Sequence, residues 1–248
     1  MSPTKTALVI VPGACHHPSH YEALSARLHA AGHEVSTVDL PSTGGEEPLR
    51  SLQPEIAAIQ HAIRRYLDAG HNVALVMHSF GGISGSTSVR NLLPKDCKDG
   101  VGVVKLIYLA AILVDAGATA MPPGATHPPS MHFPLPDPKD AGWMSFHDPT
   151  TTFYGECTPE VQESSVAKLR LFSEGLSYDV VPYAGWKDVQ SHYLLCGKDN
   201  VLPVQLQEKW SRSPGGRWKG VESLETDHSP FLSRTEETAA FVLRCVGD

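Results

Sequence analysis

The sequence predicts an α/β fold: a mainly parallel sheet with helices on both faces. Short apolar, β-branched runs alternate with helical segments along the chain, which is the pattern of a sheet wound with crossover helices. The runs end at turn residues such as Pro12-Gly13 and Gly197-Lys198-Asp199, which bound strands of ordinary length. The chain has 248 residues, 41% hydrophobic and 19% charged, enough for a large core in one unit. The expectation is a single domain over residues 1–248 with an insertion at about 112–185.

Thr6 to Val11 reads as a buried first strand. Tyr21, Leu24 and Leu28 carry a helix from Tyr21 to Ala30, and Gly32 ends it. His33 to Val38 is a second strand. Ile56, Ile59, Ile63 and Leu67 form the apolar stripe of a helix over Pro54 to Ala69, closed by Gly70. Asn72 to His78 is a third strand and Ile83 to Leu93 a helix. Val101 to Ala110 is a fourth strand.

The character then changes. Pro122, Pro123, Pro128, Pro129, Pro134, Pro136 and Pro138 break regular elements, and only Thr158 to Leu171 looks helical. A long insertion of this kind in an α/β pattern is commonly a lid over a site. Its aromatic residues Trp143, Phe146, Phe153 and Tyr154 need something to bury against, which argues against a disordered linker. Alternation resumes with strands at Ser191 to Cys196 and Arg217 to Leu224. Helices follow each, at Val204 to Trp210 and Thr235 to Val246.

Composition excludes several classes. The net charge is −7 with no basic stripe, which argues against a nucleic-acid partner. No apolar run approaches the length of a membrane span. The five cysteines are irregularly spaced with no CxxC, which suits reduced thiols and a cytoplasmic location rather than zinc or disulfides. The thirteen histidines sit mostly singly and form no HExxH, so no metal is expected.

The chemistry gathers around Met77-His78-Ser79-Phe80-Gly81-Gly82, where a strand stops at a serine and a helix follows. That is the geometry of a nucleophile elbow, in which the turn exposes the serine beside the free N–H groups of a helix N-terminus. Gly81 and Gly82 let strand and helix approach closely. A serine here also serves as a plain N-cap. In such sheets ligands bind at the carboxyl ends of the strands, and Ser79, Asp199 and His228 each fall just after a predicted strand. A serine hydroxyl needs a base, and the base an orienting acid. His228 is the candidate base and Asp199 the candidate acid, with Asp227 as a rival. The oxyanion donors are expected to be the backbone N–H groups of Phe80 and Ala14, with Gly13 allowing close approach. Cys15 reads as a buried or lining thiol.

Three stretches together resemble the α/β-hydrolases, and in particular the compact branch of plant methylesterases and hydroxynitrile lyases. They are Val-Pro-Gly-Ala-Cys-His with His20-Tyr21, the elbow, and Tyr193 to Asn200 with Asp227-His228. Phe153 to Pro159 is similar to the lid of that branch. The resemblance spans nearly the whole chain and implies a cofactor-free α/β-hydrolase fold with a helical cap. Pro12 stands where the family usually has histidine, and Met77 where it usually has glycine. The lyases carry threonine where Gly13 stands and lysine where Ser229 stands, so cyanohydrin cleavage is not expected.

The resulting expectation is a serine hydrolase acting on a small to medium, partly apolar ester or lactone. Gly13, His78, Trp143, Met144, Phe146 and Phe153 are the candidate substrate-binding residues. The rivals are the same triad used for C–C bond cleavage, decarboxylation or cyclisation, and a hydrolase fold turned ligand receptor. A homodimer is compatible with the sequence, which does not specify the oligomeric state.

Overall fold

The computed structural model describes residues 6–122, 125, 131–132 and 142–247. Its centre is a six-stranded parallel sheet in the order β2-β1-β3-β4-β8-β9. The strands are β1 (Ala7–Val11), β2 (Val35–Thr37), β3 (Val73–His78), β4 (Val103–Leu109), β8 (Gln190–Cys196) and β9 (Trp218–Leu224). Every pairing is parallel, with Val9 opposite Leu75 and Ile107 opposite His192.

The apolar runs are continuous because both faces of the sheet are covered. Val9, Val11, Leu75 and Met77 point to one side, where they pack with Ile59 and Ile63 of α2 (Gln53–Asp68). Leu8, Ile10, Ala74 and Val76 point to the other, against Leu24 and Leu28 of α1 (Glu22–Ala30) and Phe241 and Val242 of α8 (Thr235–Gly247). Each strand thus contributes alternate residues to two cores. No helix of the described residues is long and apolar enough to cross a membrane.

Two predicted helices end early. α3 (Gly81–Ser88) stops short of Leu93 because the chain turns so that the Leu92 carbonyl accepts the Val103 N–H at 2.7 Å, at the start of β4. α5 (Pro159–Val166) stops short of Leu171 because the next residues dock elsewhere. There the Arg170 N–H donates to the Cys15 carbonyl and the Gly44 N–H to the Leu171 carbonyl.

The insertion after β4 holds a small antiparallel sheet of β5 (Met131–His132), β6 (Trp143–Phe146) and β7 (Phe172–Ser173). Helices α4 (Pro149–Tyr154) and α5 lie between β6 and β7. Of the prolines expected to break this segment, all but Pro122 lie outside the described residues. After β8 come α6 (Val204–Trp210) and, beyond β9, the short α7 (Pro230–Ser233) that precedes α8.

Candidate active site

The loops after β1, β3, β8 and β9 gather at one edge of the sheet, where Gly13 packs on Ser79, His228 on His78 and Asp199 on His228. Ser79 holds φ at 52°, left-handed backbone that a non-glycine residue adopts at a cost of about 1–3 kcal/mol. Hydrogen bonds over-determine it. Its N–H donates to the Leu109 carbonyl at 3.4 Å, and its carbonyl accepts from Gly82 at 3.0 Å and Ile112 at 2.9 Å. A side chain at Gly81 would strike the Pro12 carbonyl, so the helix can start against β1 only with glycine there.

Met77 departs from the usual elbow glycine, and its side chain is fully buried. Space for it comes from α3, where a Cβ on Gly85 would lie 2.6 Å from the Met77 Sδ. The bulk added at Met77 is thus offset by Gly85, one turn into the helix.

Asp199 and His228 meet in the structure. His228 Nδ1 donates to Asp199 Oδ2 at 2.7 Å, with both side chains completely buried. Asp199 is itself fixed, its Oδ1 accepting from the N–H groups of Val201 and Leu202 at 2.7 and 2.8 Å and its Oδ2 from Gln207 Nε2 at 3.1 Å. With the proton on Nδ1, His228 Nε2 carries a lone pair, and this buried atom has no hydrogen-bond partner among the described residues. The rival Asp227 is committed elsewhere. Its Oδ2 accepts from the Glu156 N–H at 2.9 Å and its Oδ1 from Ser233 Oγ at 2.7 Å, tying the cap to the His228 loop.

Ser79, Ala14 and Phe80 line one apolar cavity of about 210 Å³. Neither the Ala14 nor the Phe80 N–H donates to a protein group among the described residues. Met144 and Phe146 line this cavity too. Ile112, Phe172, Leu202, Leu206 and Trp210 join them, and no lining residue is charged. Trp143 and Phe153 line instead an outer groove of about 670 Å³ that shares Phe146 with the cavity. Phe153 also reaches His228, ring centres 5.8 Å apart.

Gly13 and His78 line neither space. A Cβ on Gly13 would lie 2.7 Å from Ser79 Cβ and 2.8 Å from His78 Nδ1, so the glycine is required by packing against the elbow. His78 has no exposed surface and spends both ring nitrogens on protein groups, Tyr21 and the His228 carbonyl. Its neighbourhood is dry. Burial holds His16 and His78 well below the usual histidine range, helped by the neighbouring histidines, and lowers His20 as well. Burial pushes the Cys15 thiol up to about 12, which keeps it protonated and inert. Among the described residues no group of three or more His, Cys, Asp or Glu side chains is arranged to hold a metal.

Sequence reasoning missed Gln207 and the α6 face of the cavity. Leu202, Leu206 and Trp210 recur at i, i+4 and i+8, a spacing that marks one face of a helix following Asp199.

Residues 8–241 match the alpha/beta hydrolase family. The chain belongs to that family. It is 28% identical over 245 residues to the alpha/beta hydrolase nvfD of Aspergillus novofumigatus, covering 98% of each chain. It is 26% identical to norfluorocurarine synthase 2 of a Strychnos species, covering 92% of this chain and 91% of that one. The crystal structure of polyneuridine aldehyde esterase superposes with a TM-score of 0.78 at 19% identity, covering 99% of this chain and all of the other, which is a likeness of fold.

Proposed function

We propose that this alpha/beta hydrolase cleaves a carboxylic ester or lactone through an acyl-enzyme. The observation that carries the reading is the buried His228 ring. Asp199 holds its Nδ1 proton, its Nε2 has no protein partner among the described residues, and the ring lies 4.7 Å from that of His78, the residue before the strained Ser79. Ser79 Oγ attacks the carbonyl carbon as His228 Nε2 takes its proton. The Ala14 and Phe80 N–H groups receive the developing oxyanion. The imidazolium, stabilised by Asp199, returns the proton to the leaving alcohol, and water activated by the same nitrogen releases the acid. Hydrogen bonds between base and nucleophile commonly tighten only when substrate binds.

The uncharged cavity of about 210 Å³ supports a neutral, compact apolar group on one side of the ester. For scale, a cavity of about 150 Å³ accepts benzene. Phe146 lines both this cavity and the outer groove, which suits the remainder of the substrate. The test is a panel of p-nitrophenyl esters of increasing acyl length with Ser79→Ala as control. Turnover that disappears in the variant supports the mechanism, and equal turnover in both overturns it.

A second reading keeps the triad for a non-hydrolytic step, because one relative that the chain matches along its length is named a synthase. Product analysis separates the two, since hydrolysis yields an acid and an alcohol in equal amounts. A homodimer and a cytoplasmic location remain part of the proposal, to be read by light scattering and by fractionation of the source cells.

A further inference from the structure

Beside the serine, histidine and aspartate lies a second chain of buried polar groups that the reaction above does not use. It runs from Gly13 N–H to Tyr21 Oη at 3.1 Å, from Tyr21 to His78 Nδ1 at 2.9 Å, and from His78 Nε2 to the His228 carbonyl at 2.8 Å. We propose that Tyr21 and His78 are positioning residues of this active site, which couple the loop carrying the Ala14 N–H to the backbone of the base, so that oxyanion donor and base are held as one unit. The inference rests on the serine hydrolase reading.

The direction of every bond in the chain follows from its ends. The Gly13 N–H can only donate, so Tyr21 Oη accepts there. The His228 carbonyl can only accept, so His78 carries its proton on Nε2 and leaves Nδ1 bare. The remaining proton, on Tyr21, then goes to that bare nitrogen. A neutral His78 satisfies every group, and burial favours that neutral form. Tyr21, His78 and His228 have no exposed surface, so water cannot replace any member.

A second branch pins the same loop from its other side. His16 Nδ1 donates to the Ala14 carbonyl at 2.8 Å, and its Nε2 accepts from Tyr154 Oη at 3.0 Å. Tyr154 belongs to α4, so the cap also contributes to holding the loop. The residues on both sides of the Gly13–Ala14 peptide are thereby fixed. If the only task here were filling a core, apolar side chains of the same shape would serve as well, since a buried polar network stabilises little in net terms. What such a network does supply, when fully satisfied, is one rigid arrangement.

The primary test is Tyr21→Phe, which keeps the ring stacked on Phe231 with centres 4.2 Å apart but removes the hydroxyl. It frees the Gly13 N–H and His78 Nδ1 together. A displacement of the loop on the order of 1 Å is expected to lower kcat by ~10–100-fold. KM for a neutral ester should stay within about threefold, because the lost contact acts in the transition state. The rate at which a p-nitrophenyl phosphonate labels Ser79 should fall in parallel. His78→Gln, which keeps a donor for the His228 carbonyl, should retain more activity than His78→Leu. Tyr21→Phe combined with His78→Gln should lose less than the product of the single losses. If Tyr21→Phe labels and turns over at the wild-type rate, or loses activity only in proportion to folded protein, the inference is overturned while the hydrolase reading stands. If the wild-type protein itself is not labelled, the hydrolase reading fails and the inference falls with it.

Discussion

Gly13→Ala tests the site at its tightest point. The added Cβ would sit 2.7 Å from Ser79 Cβ, 2.8 Å from His78 Nδ1 and 3.2 Å from His78 Cε1. Ordinary contacts between carbons lie near 3.5–4.0 Å, so something must give by ~1 Å. Ser79 cannot, because three backbone hydrogen bonds hold its left-handed conformation. His78 cannot, because both its nitrogens are engaged. The loop carrying Ala14 must therefore withdraw from the oxyanion position. A misplacement of that order lowers the rate by ~100-fold, which corresponds to about 2.7 kcal/mol of transition-state stabilisation. Overpacking adds a loss of about 1–3 kcal/mol of fold stability. The assay is kcat/KM on a short p-nitrophenyl ester, with circular dichroism melts to confirm folding at the assay temperature. A folded Gly13→Ala protein with near wild-type kcat/KM refutes both the packing argument and the assignment of Ala14 as an oxyanion donor.

Four further outcomes are expected. Asp199→Asn should lower kcat by ~10³–10⁴-fold through loss of the correct tautomer. Asp227→Asn should instead lower stability by about 1–3 kcal/mol and change kcat little; the reverse result exchanges their roles. His16, His20 and His78 are all lowered from 6.5, so the unfolded chain takes up protons first. Their contribution to stability is complete above about pH 6.5 and lost as pH falls toward the folded values, at up to ~1.4 kcal/mol per pH unit for each. Urea titrations at several pH values below 7 check this, run also in Glu55→Gln because the raised pKa of buried Glu55 gives the opposite slope; a flat profile in that variant contradicts it. Phe146→Ala should join cavity and groove and raise kcat/KM for long acyl esters relative to short ones by about tenfold; an unchanged ratio shows that Phe146 is no partition. Gly85→Ala should destabilise the protein by about 1–3 kcal/mol against Met77, and be harmless in a Met77→Gly background; equal effects in both backgrounds rule out the compensation.

The sheet was legible because strand periodicity and strand burial leave the same mark: short β-branched runs such as Thr6 to Val11 that stop at Pro12-Gly13. The strand-to-helix turn was legible because an apolar run stops at Ser79 and two glycines follow, whereas the serine alone fits a plain N-cap as well as a nucleophile. What the residues alone could not carry was which polar groups meet across long sequence separations. Asp227 and Asp199 both fit the acid by position, and their difference lies in partners contributed by Glu156 and Gln207. His78 looked like a substrate contact because it adjoins Ser79. In a strand, however, neighbours face opposite ways, and its ring is buried among His16, Tyr21, His228 and Phe231 rather than in the cavity. The early ends of α3 and α5 were hidden for a similar reason. Each helix yields to backbone hydrogen bonds with a distant segment, and helical propensity holds no record of those.

The arrangement also bears on whether this family member is a catalyst or a receptor. Ser79 is held at positive φ, at a cost of about 1–3 kcal/mol. His228 Nε2 is buried with no protein hydrogen-bond partner among the described residues, which is unfavourable until a donor reaches it. A receptor that needed only a cavity would be more stable with both relaxed. Neither feature improves the fit of an uncharged ligand to walls formed by Ile112, Met144, Phe172 and Leu202. Both are useful to a protein that must aim a hydroxyl and take its proton. The surrounding bonds from Leu109, Ile112, Asp199 and Gln207 keep these two unfavourable features in place together, which argues for a nucleophile and its base rather than a site for binding alone.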